Sequence, residues 1–212
     1  MTRSRLTRLL IAGLVGLLLA AVVAWWSILQ DRRAAGPAGA STEAGTLLGG
    51  VSIGGPFSLV DHTGKPVTDK DYAGKYKLVF FGFTFCPDIC PTELQVLAQA
   101  MDALGDDAAR VQPLFISIDP QRDTPVQLAE YVAMFHPSIT GLTGTPEQVA
   151  AVAKAYRVYY AKAPGGNGDD YLMDHSTFTY LMGPDGQFLK VLPRGTSPDE
   201  IVQSIRSYLA RG

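Results

Sequence analysis

Hydrophobic and polar positions divide this chain into three stretches. Residues 9–29 are apolar apart from Ser27 and carry no charge, a run long enough to cross a bilayer as one helix. Residues 31–50 are small and polar with no apolar period, the pattern of a flexible tether. From Val51 onward strand-like and helix-like periods take turns. Residues 57–61 alternate as a strand, and His62-Thr63-Gly64-Lys65 makes a turn after them. Residues 76–83 and 111–119 are continuous β-rich runs, as expected of central strands buried on both faces. Residues 172–182 and 187–192 flank Gly183-Pro184-Asp185-Gly186 and read as the arms of a hairpin.

The helices share a start signal. Thr124-Pro125-Val126-Gln127, Thr145-Pro146-Glu147-Gln148 and Ser197-Pro198-Asp199-Glu200 each set a capping hydroxyl before proline, with Gln or Glu three residues after the cap. Apolar spacing follows each: Leu128, Tyr131, Val132, Phe135; then Val149, Val152, Ala153, Tyr156; then Ile201, Ile205, Tyr208, Leu209. On the same template Cys90 caps a further helix, with Leu94, Leu97, Met101 and Leu104 on its buried stripe. The order β-β-α-β-α-α-β-β-α predicts an α/β sandwich with a mixed central sheet and an antiparallel edge.

The N-terminal run decides topology. Arg3, Arg5 and Arg8 precede it and Trp25 and Trp26 lie near its far end, so the positive-inside rule places the N-terminus in the cytoplasm and the domain outside. The run exceeds the roughly 7–15 apolar residues of a signal peptide. Ala38-Gly39-Ala40 resembles a cleavage site but lies well past it, and no cysteine follows to carry a lipid. The expectation is an anchor over 1–30, a linker over 31–50 and a domain over 51–212. A bacterial inner-membrane protein facing the periplasm fits best, and a mitochondrial inner-membrane protein is the alternative. After residue 50 the chain holds 13 basic and 18 acidic side chains. An acidic domain without a basic stripe argues against nucleic acid.

The chemistry centres on Cys86 and Cys90, the only two cysteines. They sit between a buried strand and a helix start, spaced C-x-x-x-C. A thiol at a helix N-terminus has its thiolate stabilised by the macrodipole, so the Cys90 pKa is expected to fall. In an oxidising compartment a structural disulfide is the plain alternative, but so short a loop removes little chain entropy. Redox chemistry and soft-metal binding are the functional readings. Of three histidines, His62 reads as a turn residue and His136 as a helix-end residue. His175, in Asp174-His175-Ser176-Thr177, stands where a loop enters a strand. By itself it is open to either a structural or a site role. Asp119 and Asp123 lie at the end of the second central strand, where sites of open α/β sheets collect. They read as turn and cap residues paired with Arg122, or as the wall of a site. Asp88 reads as a turn residue or as an outer-sphere acid.

The stretches from Gly82 to Leu94 (Gly-Phe-Thr-Phe-Cys-Pro-Asp-Ile-Cys-Pro-Thr-Glu-Leu), Asp119-Pro120-Gln121-Arg122-Asp123-Thr124-Pro125, Gly141-Leu142-Thr143-Gly144 and Asp174-His175-Ser176-Thr177 together resemble the Sco/SenC family. The resemblance runs in order from about Phe57 to the C-terminus and includes the N-terminal anchor. It implies a thioredoxin-like fold and a copper-binding protein that assists assembly of the copper centre of cytochrome c oxidase. It also implies Cys86, Cys90 and His175 as ligands. Expected partners are the oxidase's copper-bearing subunit, a periplasmic copper donor and a thiol reductant. Many members carry a polar residue, often His, directly before the first cysteine. Phe85 stands there in this chain and should make the rim more apolar.

Two thiolates and an imidazole suit copper in either oxidation state, whereas structural zinc wants a fourth protein ligand. Binding requires the reduced dithiol. The competing function is a thiol-disulfide reductase that keeps the cysteines of the oxidase copper site reduced, using Cys86 and Cys90 as the catalytic pair. A thiol peroxidase is disfavoured because Phe83 and Pro87, not Thr, stand three residues before the cysteines. A plain interaction domain would have no use for the thiols.

Overall fold

The backbone of a strand buried on both faces must be satisfied from both edges, and residues 76–82 meet that demand at the centre of a mixed sheet. The computed structural model describes residues 52–211 apart from Asn167 and Asp169. The expected anchor and the whole of the expected linker lie outside the described residues. Among the described residues no helix is long and apolar enough to cross a membrane.

The strands are β1 Ser58–Asp61, β2 Pro66–Thr68, β3 Tyr76–Gly82, β4 Val111–Ser117, β5 Thr140–Thr143, β6 Tyr160–Lys162, β7 Met173–His175, β8 Thr179–Met182 and β9 Phe188–Leu192. The α-helices are α1 Ile89–Leu104, α2 Pro125–Ala133, α3 Pro146–Ala155 and α4 Pro198–Leu209. Seven strands form one sheet in the order β2-β1-β5-β4-β3-β8-β9, and β6 pairs with β7 apart from it. β3, β4 and β5 run parallel. The remaining pairings are antiparallel, which gives the mixed sheet that the pattern predicts.

Every residue of β3 is buried. Alternate side chains take opposite faces. Phe81 meets Tyr156 and Tyr180 on one face, while Phe80 meets Phe115 and the His175 ring on the other. Burying each such side chain contributes about 1.5–3 kcal/mol. The strand is therefore a rigid floor that delivers Gly82, and the loop after it, to a fixed place.

Helices α2, α3 and α4 start at the predicted prolines, with Thr124, Thr145 and Ser197 each accepting from the third helical amide. The reciprocal side-chain bond forms at Thr145 and Ser197. At Thr124 only the hydroxyl half is made. α3 ends in a left-handed turn at Arg157, with φ 58°. Val158 N–H returns to Ala153 O at 2.8 Å and Arg157 N–H to Lys154 O at 3.2 Å, the Schellman pattern with arginine where glycine is usual.

Three expectations need correction. α1 begins at Ile89 with Asp88 at its cap, so Cys90 lies inside the first turn and does not cap the helix. The expected hairpin arm over 172–182 is two strands. Ser176 N–H bonds Tyr159 O at 3.0 Å, drawing β7 out of the sheet to pair with β6, and only β8 joins β3. β2, β5 and β6 were not expected, because three or four residues with few large apolar side chains give no period. β5 becomes a strand through its neighbours β4 and β1.

Candidate metal centre

The sheet end at the C-termini of the parallel strands gathers the chemistry. The loop after β3 carries Cys86, the first turn of α1 carries Cys90, and β7 ends on His175. Cys90 Sγ lies 3.7 Å from His175 Nε2, and the Cys90 amide points at Cys86 Sγ from 3.4 Å. Cys90 is wholly buried and Cys86 half-buried, and both are free thiols. A Cβ at Gly82 would stand 2.8 Å from both Cys90 Sγ and the Phe115 ring. Glycine is what leaves room for the sulfur there.

His175 is oriented before any ligand arrives. Its Nδ1 lies 2.9 Å from Ser176 O, and a carbonyl can only accept, so Nδ1 carries a proton. In the neutral ring the Nε2 lone pair then faces Cys90 Sγ, the arrangement that outer-shell bonds impose on ligating histidines. Phe80 and Phe83 hold the ring edge-on at centroid distances of 6.4 and 6.0 Å.

The two sulfurs divide the charge. The hydrogen bond from the Cys90 thiol, with those from the amides of Cys90 and Asp88, overcomes burial and pushes the Cys86 thiol down to about 3. The same partnership with Cys86, together with burial, pushes Cys90 up. This reverses the expected fall at Cys90: the helix-start amides serve Cys86, whose sulfur accepts from them, while Cys90 is the buried donor.

Two carboxylates at the end of β4 clamp the segments that carry these groups. Asp123 is fully buried. It accepts from the Thr84 amide (3.1 Å), the Thr84 hydroxyl (2.6 Å) and the Ser117 hydroxyl (2.6 Å). Burial outweighs these bonds and pushes its carboxyl up. Asp119 accepts from Tyr171 Oη at 2.7 Å and pairs with Arg122. The Arg122 guanidinium stacks on the Tyr171 ring at 3.6 Å and on the half-exposed Phe85 ring at 4.5 Å. Asp123 thus ties down the cysteine loop, and Asp119 ties down the chain that leads into β7.

Zinc-class bonds of about 2.3 Å to thiolate and 2.0 Å to imidazole, at a ligand angle near 120°, place sulfur and nitrogen about 3.7 Å apart. The Cys90–His175 separation equals this, and the soft donor set fits copper. Among the described residues no three His, Cys, Asp or Glu side chains already form a finished cage. Half-exposed Cys86, turned toward the Cys90 amide, is the member with room to reorient.

The structure therefore brings Cys86, Cys90 and His175 together and sets Asp119 and Asp123 behind them. Asp88 is exposed, and its side chain makes no cap bond; its amide, not its carboxylate, serves Cys86. His62 accepts from the Gly141 amide at 3.1 Å, and His136 engages Ser138 and Asp102, so both are structural. Sequence reasoning passed over Thr84, Ser117 and Tyr171, whose roles depend on long-range contacts. Gly82 had a signal: a glycine ending an otherwise bulky buried strand marks a close approach.

The SCO1/SenC family model matches residues 46–210. The human protein SCO1 homolog, mitochondrial, is 48% identical over 164 residues, covering 76% of this chain and 54% of its own length. The chain thus spans about half of that relative. A crystal structure of Arabidopsis thaliana ScoI with copper bound superposes with a TM-score of 0.71 at 46% identity, covering 76% of this chain and all of that one (100%). BsSco, described as a member of the Sco family of cytochrome c oxidase assembly proteins with a disulfide switch, superposes at 0.59 and 27% identity, covering 74% of this chain and 94% of its own. The fold is thioredoxin-like α/β, and the chain belongs to the SCO1/SenC family.

Proposed function

We propose that this protein is a copper chaperone that assists assembly of the copper centre of cytochrome c oxidase, holding its cargo through Cys86, Cys90 and His175. The observation that carries this reading is the meeting of a dithiol and a pre-oriented imidazole at one sheet end, with sulfur and nitrogen 3.7 Å apart. The copper-bound Arabidopsis relative and the oxidase-assembly role of the Sco family to which BsSco belongs support it. Residues 9–29 anchor the chain in the bacterial inner membrane, 31–50 tether it, and 51–212 work in the periplasm beside the oxidase subunit, a copper donor and a thiol reductant.

Each residue has a separate task. Cys86 is already a thiolate and offers the accessible sulfur. Cys90 supplies the second sulfur and gives up its proton when the metal is taken. His175 contributes Nε2 while Ser176 keeps the ring in place. Asp119 and Asp123 hold the two ligand-bearing segments at their spacing. Because Cys86 is the exposed member, an acceptor's ligand enters on its side and exchange proceeds there, with Cys90 and His175 letting go last.

The second reading, a thiol-disulfide reductase, is favoured by the same Cys86–Cys90 partnership. A thiolate pushed down to about 3 is a good leaving group but a weak attacker, which places this activity second. The test measures copper per protein and disulfide turnover for the reduced protein and its His175→Ala variant. The chaperone reading expects about one copper per wild-type chain, lost in the variant. Full copper retention without the imidazole, or turnover with no bound copper, would move the assignment to the reductase.

A further inference from the structure

Lys77 interrupts the apolar run of β3 at its second residue, yet it is only 6% exposed. By strand alternation it shares a face with Phe81, on which Tyr156 packs at 5.3 Å between ring centroids. Lys77 and Tyr156 line one cavity of about 410 Å³, within the range of small-molecule sites. It lies at the start of β3, the strand end opposite the thiols, and Phe57 forms part of its wall.

Neither donor is satisfied by the protein. The Lys77 ammonium has three N–H bonds to place. It reaches the Pro184 carbonyl at 3.5 Å, an oxygen that already accepts from the Gly74 amide at 2.9 Å. Among the described residues no carboxylate forms an ion pair with it, whereas buried charges are ordinarily paired. Tyr156 is 4% exposed, and its hydroxyl makes no hydrogen bond among the described residues. Buried phenols usually find a partner. Asp69 and Asp185 also stand at the cavity wall. Asp69 accepts from the Phe57 amide at 3.3 Å, and Gln187 donates to both Asp185 oxygens at 3.1 and 2.9 Å.

A ligand for this cavity accepts from an ammonium and a phenol and lays an apolar body against Phe57. The two aspartates, offset at the wall by Lys70 and Lys77, oppose a second negative charge. That disfavours a phosphate ester and leaves a single carboxylate. We propose that the cavity is a binding site for a small aromatic monocarboxylate, its carboxylate held by Lys77 and Tyr156. The site shares no residue with the candidate metal centre and does not depend on the copper reading.

Calorimetric titration of the copper-free full-length protein with benzoate, benzamide and phenyl phosphate at neutral pH tests this. Benzoate should bind saturably and raise the melting temperature. Benzamide keeps the shape without the charge and should bind about tenfold more weakly, the scale of one hydrogen bond to a charged group. Phenyl phosphate should bind more weakly than benzoate. Lys77→Met keeps an apolar stem of similar length and should erase the preference for benzoate over benzamide. Tyr156→Phe should weaken benzoate while leaving the melting temperature of the free protein close to wild type. Absence of saturable benzoate binding, equal affinity for benzoate and benzamide, or tighter binding of phenyl phosphate would overturn the proposal. So would benzoate affinity unchanged in Tyr156→Phe, a comparison that decides the matter even where Lys77→Met does not fold.

Discussion

Truncating Asp123 to alanine should damage both the fold and the site, and the size of the damage follows from its contacts. The carboxylate is fully buried and serves three donors: the Thr84 amide, the Thr84 hydroxyl and the Ser117 hydroxyl. Leaving a buried donor unpaired costs about 1–3 kcal/mol. The two hydroxyls recover part of that by rotating, while the amide cannot. Losing the cost of burying the carboxylate offsets a further share. The net loss is about 3–5 kcal/mol, the scale of breaking a buried charged network, read by urea unfolding of the reduced, copper-free protein. Because Thr84 is two residues from Cys86, copper affinity should fall as well.

Asp123→Asn separates charge from shape. Burial raises the folded-state pKa of Asp123 above an unfolded value near 3.9. Its protonated form therefore favours folding below that value, and the benefit is lost as pH rises through the folded pKa. Wild type should lose stability relative to Asp123→Asn as pH increases from about 4. An Asp123→Ala variant within 1 kcal/mol of wild type, or a difference from Asp123→Asn that grows in the opposite direction, would refute the reasoning.

Other perturbations test other parts of the account. Gly82→Ala puts a methyl 2.8 Å from Cys90 Sγ and Phe115; it should cost about 1–3 kcal/mol by overpacking and weaken copper binding, as titration calorimetry would register. Cys86, pushed down to about 3, should be alkylated by iodoacetamide at a rate nearly flat from pH 5 to 8. Cys90→Ala should restore an ordinary rise with pH, because the Cys90 hydrogen bond is the largest cause of the shift. Arg157→Gly relieves a left-handed arginine and should raise stability by about 0.5–1 kcal/mol in thermal melts without changing copper affinity.

Legibility followed the range of the interactions. Capping hydroxyls, prolines and apolar periods act within one turn, so α2, α3 and α4 could be placed from residues alone. The long buried strands β3 and β4 announced themselves by continuous apolar runs. β5 and β6 did not, since their strand character comes from partners distant in sequence. The C-x-x-x-C stretch and His175 stood out as residue types, but only the fold brings Cys90 Sγ within 3.7 Å of His175 Nε2. The charge on the thiols was misread because the motif shows where α1 begins but not which sulfur its amides reach. With α1 starting one residue before Cys90, those amides turn to Cys86. The clamp of Asp123 on Thr84 spans 39 positions, beyond any local pattern.

The central claim is that Cys86, Cys90 and His175 hold copper together. X-ray absorption at the copper edge of the loaded, reduced protein tests it most directly. The account predicts two sulfur scatterers at thiolate distance and one imidazole, with the imidazole signal vanishing in His175→Ala. A copper shell of sulfur alone in wild type, or an imidazole signal that survives the substitution, would contradict it.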